Sequence, residues 1–231
     1  MNAHCLEIRD LRVVFPLADG REAAIVDGVD LAIRRGEALG MVGESGSGKT
    51  MIALSCLRLV PPPGRVTGLL RVAWRRHHAG GTRADARRHA VDALRDVGIA
   101  APERRVDAYP HEMSGGMLQR CLIALAIVNG PALIVTDEPT TALDATVQAQ
   151  ILDLLRARLA DAGLLLVTHD LGVAAAICDR IAVVYAGRVV ELGPAEELLA
   201  APRHPYTRAL LAAAPRIDPA RPPLVPIPGQ P

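Results

Sequence analysis

Lysine is almost missing from this 231-residue chain: of its 26 Lys plus Arg residues, Lys49 alone is lysine. Aromatic residues are nearly as scarce at 2%, with a single Phe and a single Trp, so Ala, Leu and Val must fill the interior. Positive charge is not in excess, since the formal net charge is only +1, which argues against a surface that coats nucleic acid or an anionic membrane. The four cysteines at 5, 56, 121 and 178 form no C-x-x-C pair. Neither a zinc site nor a disulfide framework is indicated, and buried thiols in a reducing compartment are expected. No apolar run reaches the ~20 residues a spanning helix needs, because Asn129-Gly130-Pro131 and Asp179-Arg180 break the longest candidates. The first residues carry no basic stretch followed by an apolar one, so no secretory signal is expected.

What is present is patterned. Leu6 to Phe15 and Ala24 to Ile33 mix apolar and polar residues in near alternation and read as antiparallel strands. Ala38 to Val42 is a short apolar strand, and Met51 to Val60 has helical spacing that Pro61-Pro62-Pro63-Gly64 stops. Helices are predicted over Thr82 to Val97 and Ser114 to Val128, with Ser114 at the N-cap. Beyond them, strands at Leu133 to Thr136, Leu164 to Thr168 and Ile181 to Tyr185 alternate with helices at Asp144 to Ala160 and Leu171 to Cys178. A last strand, Val189 to Leu192, follows a turn at Gly187. Alternation of this kind implies parallel βαβ units with helices on both faces. From Pro215 the sequence is proline-rich and aperiodic, and an extended tail is expected.

The solitary lysine lies in Gly43-Glu44-Ser45-Gly46-Ser47-Gly48-Lys49-Thr50, a complete match to G-x-x-x-x-G-K-[ST]. Glycines let successive backbone N–H groups turn toward phosphate oxygens. The Lys49 ammonium suits the outer phosphates, and the Thr50 hydroxyl suits Mg²⁺. A strand before the loop and a helix after it aim the helix N-terminus at the anion. Asp137 and Glu138 end an apolar strand, at the sheet edge where ligands bind. There Asp137 would hold Mg²⁺, and Glu138 would orient or deprotonate a water. His169 follows the next strand and can emerge at the same edge to sense the γ-phosphate.

Glu112 to Arg120 (EMSGGMLQR) resembles the signature motif of ATP-binding-cassette (ABC) ATPases, and the phosphate loop, signature, Asp137-Glu138, Ala142-Leu143-Asp144 and His169 occur in that family's order. The resemblance implies an α/β P-loop NTPase core, a mostly parallel sheet with helices on both faces, plus an antiparallel β subdomain and a helical subdomain. It implies ATP and Mg²⁺ as ligands and a composite site, in which Ser114, Gly115 and Gly116 of one subunit close over the nucleotide of a second ATPase subunit, identical or related. Phe15 matches the position that stacks on adenine, although it could equally be core, and Asp144 matches the loop that crosses the dimer interface. Tyr109-Pro110-His111-Glu112 and His204-Pro205-Tyr206-Thr207 resemble segments of oligopeptide, dipeptide and nickel importer ATPases. The implied function is ATP hydrolysis on the cytoplasmic face of the membrane, energising two integral membrane permeases fed by an extracytoplasmic substrate-binding protein, with no nucleic acid involved.

Residues 1–214 are thus expected to form the ATPase domain, with a shortened helical subdomain over about 69–128, and 215–231 the tail. The middle departs from the family pattern. No glutamine lies between the phosphate loop and the signature, so the family's Q-loop glutamine has no counterpart. Gly68-Leu69 reads as a junction across an internal deletion that removes at least one core strand. An alternative is therefore a nucleotide-binding remnant that does not hydrolyse or does not couple; a soluble ABC ATPase of DNA repair or translation fits less well. No iron–sulfur cluster is expected, because the chain stops at Gln230-Pro231 without cysteine ligands.

Overall fold

The structure, a computed structural model, describes residues 4–72, 82–139, 144–159 and 162–213. Strands β1 (His4–Pro16), β2 (Glu22–Arg34) and β3 (Ala38–Val42), helix α1 (Lys49–Cys56) and strand β4 (Arg65–Val72) come first. Helices α2 (Arg83–Asp96), α3 (Pro102–Arg105) and α4 (Gly115–Ile127) follow. The chain then alternates through β5 (Leu133–Asp137), α5 (Ala145–Arg158), β6 (Gly163–Val167), α6 (Leu171–Ile177), β7 (Arg180–Tyr185) and β8 (Arg188–Pro194), and closes with α7 (Ala195–Ala200) and α8 (Pro205–Ala213).

Two sheets result. An antiparallel sheet has the order β2-β1-β4, and a five-stranded sheet has the order β5-β6-β3-β7-β8, parallel except for β8. Alternation along the central strands divides the core into two layers. Ala38, Val42, Leu164, Leu166, Ile181 and Val183 point to one face, where α2 and α4 through α8 pack. Leu39, Met41, Leu165, Val167, Ala182 and Val184 point to the other, against α1 and the β1–β2 hairpin. The α/β class with an antiparallel subdomain follows directly from this period-two division.

Two boundaries differ from the sequence expectation. Helix α1 ends at Cys56 rather than near Val60. Arg58 takes a left-handed φ of 57°, and the N–H groups of Arg58 and Leu59 bond back to the carbonyls of Ser55 and Leu54, a Schellman closure built without glycine. The second difference lies at the junction. Leu69 to Val72, expected to open the helical subdomain, instead extend β4, with Leu69, Leu70, Arg71 and Val72 facing Arg9, Ile8, Glu7 and Leu6 of β1. Pairing with β1 satisfies their backbone groups, a non-local gain that the local sequence does not reveal. Gly68 makes the extension possible: at φ 100° its α-carbon lies against the Asp10 carbonyl, where β1 bulges, and a Cβ there would collide with it. The Ala142-Leu143 motif and the proline-rich tail from 215 fall outside the described residues.

Candidate functional site

Three strand ends meet at one edge of the sheet: β3 leads into the phosphate loop, β5 ends at Asp137, and β6 runs into Thr168-His169. A cavity of about 920 Å³ opens there, lined by Ser45, Gly46, Gly48, Lys49, Thr50, Asp137, Glu138 and His169, with Ile25 and Met51. The sequence-predicted phosphate, metal and water-activating residues therefore share one space. Of the loop's residues, Gly43, Glu44 and Ser47 do not line the cavity, and all three accept bonds from Lys49 Nζ.

The shape of the loop is enforced from outside it. Gly43 packs so closely on the Val184 carbonyl that a Cβ would clash, and at Gly48 (φ 101°) a Cβ would come within 2.7 Å of the Ile25 carbonyl. The Gly187 N–H donates to the Ser47 carbonyl at 2.9 Å, and the Glu44 N–H donates to the Tyr206 hydroxyl at 3.0 Å. Lys49 is buried and folds over its own loop, donating from Nζ to the carbonyls of Gly43 (2.9 Å) and Glu44 (2.6 Å) and to Ser47 Oγ (3.2 Å). Burial pulls the ammonium's pKa down, and the negative charges of Glu138, Asp137 and Glu44 oppose that pull. An anionic phosphate would add to those charges and favour the ammonium further.

Glu138 takes a left-handed φ of 50°, a conformation that costs a non-glycine residue about 1–3 kcal/mol and clusters at functional sites. Its N–H bonds to the Val167 carbonyl at 2.9 Å, so the turn is tied to β6. The carboxylate then reaches His169: Oε1 accepts the backbone N–H at 2.9 Å and lies 2.7 Å from Nδ1. Glutamate and histidine thus form a contacting pair beside the phosphate loop. Thr50 and Asp137 line the same cavity and supply oxygen donors, the chemistry that Mg²⁺ takes.

Other sequence-predicted site residues stand apart. Ser114 caps α4, its Oγ accepting the Met117 N–H at 3.4 Å, and Ser114, Gly115 and Gly116 do not line the cavity of their own chain. Asp144 caps α5 through the Val147 N–H at 2.9 Å and is exposed. Phe15, matched either to the adenine-stacking position or to the core, is half-buried in β1 and packs with the hairpin core; Ile25 and Met51 are the apolar residues at the cavity. Sequence reasoning missed Ile25 and Tyr206, which reach the site only through tertiary pairing. Gln119, within the EMSGGMLQR stretch, donates from Nε2 to the Pro139 carbonyl at 2.8 Å, joining α4 to the Asp137-Glu138 turn.

A glycine loop behind a helix N-terminus, strand-end carboxylates and a histidine at the carboxyl edge of a parallel sheet define a phosphate-loop nucleotide-binding protein. Comparison with known proteins narrows this class. The ABC transporter family model matches residues 71–141, and the oligopeptide/dipeptide transporter C-terminal region matches residues 190–231. The chain is 42% identical over 273 aligned positions to the oligopeptide transport ATP-binding protein OppD of Mycobacterium tuberculosis, covering 98% of itself and 44% of that protein. With the protein of the same name from Salmonella typhimurium it shares 38% identity, covering 98% of itself and 81% of that relative. A dimeric ATP-binding cassette in a post-hydrolysis state, bound to ADP and Pi, superposes with a TM-score of 0.73 at 22% identity, over 82% of this chain and 98% of that one, and shows the shared fold. The chain belongs to the ABC transporter family, and the relatives it matches are ATP-binding proteins of oligopeptide transport. It spans less than half the length of the mycobacterial relatives.

Proposed function

We propose that this chain binds Mg-ATP and hydrolyses it as the ATPase subunit of a peptide importer. The carrying observation is the convergence of Lys49, Thr50, Asp137, Glu138 and His169 on one cavity. Lys49 would exchange its contacts with the loop carbonyls for phosphate oxygens, and the loop N–H groups would take the remaining phosphate charge. Bound Mg²⁺, held by Thr50 and Asp137, would supply charge neutralisation at the phosphates. Glu138, held in place by its bond from the His169 N–H, would accept the proton of an attacking water, while His169 faces the outer phosphate.

Ser114, Gly115 and Gly116 at the start of α4 lie outside this cavity, which supports a second ATPase subunit closing the site. Among the described residues no helix is long and apolar enough to cross a membrane. In this reading transport would run through two permease subunits, with this chain at the cytoplasmic face and an extracytoplasmic binding protein supplying peptide. Names of the relatives, which include a peptide import ATP-binding protein of Brucella melitensis, support the substrate class. Purified chain with its partner ATPase is expected to bind ATP at millimolar nucleotide and to turn it over slowly. No binding at that concentration overturns the proposal.

Coupling to transport is a separate step. We also propose that the chain lacks an internal segment carrying the Q-loop: no glutamine lies between Thr50 and Ser114, and 273 aligned positions outnumber the chain's own 231 residues. A complementation assay reads coupling separately: peptide uptake shows that the chain couples without that segment, and ATP binding without uptake shows that it does not.

A further inference from the structure

The carboxyl-terminal helix reaches back to the phosphate loop. Tyr206, in the first turn of α8, is buried, and its hydroxyl accepts the Glu44 N–H at 3.0 Å across 162 residues of sequence. Three features aim it there. Glu191 of β8 accepts the N–H groups of Arg203 (2.8 Å) and His204 (3.0 Å), so the chain entering α8 is clamped to the sheet. Nδ1 of His204 accepts the Tyr206 N–H at 3.2 Å, and Pro205 occupies the first helical position, where no N–H is missed. The Tyr206 ring rests on Tyr185 at the end of β7, with centroids 4.6 Å apart and planes inclined by 43°.

These contacts form a strap rather than a binding contact. Neither Tyr206 nor Glu44, whose N–H it holds, lines the nucleotide cavity. Glu44 is also where Lys49 bonds, through its carbonyl at 2.6 Å, so one peptide unit away from the tyrosine bond the loop meets the lysine. Together with the Gly187 N–H on the Ser47 carbonyl, the hydroxyl ties the loop to the surrounding fold at two points, near its start and at its middle. Preorganisation of this kind reduces the ordering cost of binding.

We infer that Tyr206 is a positioning residue for the phosphate loop, so that the carboxyl-terminal helix sets the affinity of the nucleotide site. The inference rests on the nucleotide-binding reading proposed above. Its test removes only the hydroxyl. In full-length chain, Tyr206→Phe is expected to weaken ATP binding about three- to tenfold by calorimetric titration, the range that one buried hydrogen bond spans. The same variant should speed exchange of the Glu44 amide proton by a similar factor in nucleotide-free protein. Tyr185→Phe deletes a hydroxyl from the same ring pair, which among the described residues makes no bond to the loop, and should leave both readouts unchanged. Wild-type affinity and wild-type Glu44 exchange in Tyr206→Phe would overturn the inference. If the wild-type chain binds no ATP, the proposed function fails, while the amide-exchange comparison still decides whether the strap holds the loop.

Discussion

Strands β3 and β5 belong to the same sheet and end at the same edge, yet their surroundings differ. All five residues of β3 are buried, and the strand is bonded on both sides, to β6 and β7. Its loop is held by Gly187 and Tyr206. Strand β5 ends the sheet and, among the described residues, is bonded only to β6; of its five residues only Ile134 is buried. The signature helix α4 likewise leaves Leu122 and Leu125 61% and 71% exposed, and Leu125 borders an apolar groove of about 310 Å³ shared with α2 and α3. The proposed phosphate loop is thus braced within one chain, whereas the α4 side presents, among the described residues, an unpaired strand edge and exposed leucines, features that protein surfaces ordinarily cover or blunt.

Substitutions on the two sides can sharpen or break this contrast. Glu138 stands where the regions meet, and Glu138→Gln should lower ATP turnover by about 10²–10⁴-fold while retaining binding, measured by phosphate release beside calorimetric titration. Unchanged turnover would place water activation elsewhere. On the braced side, Lys49→Ala should weaken ATP binding by about 100-fold, the cost of a charge-assisted bond in a buried setting. Leu166→Ala, in the fully buried β6, should destabilise the fold by about 2–5 kcal/mol in urea titration. Leu125→Ala on the open side should change stability by no more than about 0.5 kcal/mol. Comparable losses at Leu125 and Leu166 would show that another surface covers α4 in solution.

Much of this arrangement is legible in the sequence, for identifiable reasons. Gly43 to Thr50 can be read because phosphate binding demands a local spacing, and the strand preceding it because a central parallel strand is apolar at every position. Asp137 and Glu138 are legible as a strand end; that Glu138 is turned to φ 50° and bonded to His169 is not, because it depends on where β6 stops. Leu69 to Val72 mislead, since their pairing partners lie some sixty residues earlier in β1. Tyr206 reads locally as the start of a short helix, and only the packing of β7 and β8 reveals that it touches Glu44. Phe15 shows the opposite limit: an isolated aromatic can be assigned to ligand or core with equal ease, and its partial burial against the hairpin core is compatible with both.

Lys49 is the chain's sole source of an ε-amine, and it is buried with all its observed bonds going to its own loop. Amine chemistry, which on most proteins produces a population of differently decorated molecules, would here have a single side-chain target located at the nucleotide site. Occupancy could then be followed by how fast that one amine is acylated, without a radioactive ligand or an engineered probe. The scarcity that marks the loop in the sequence also makes it a built-in reporter.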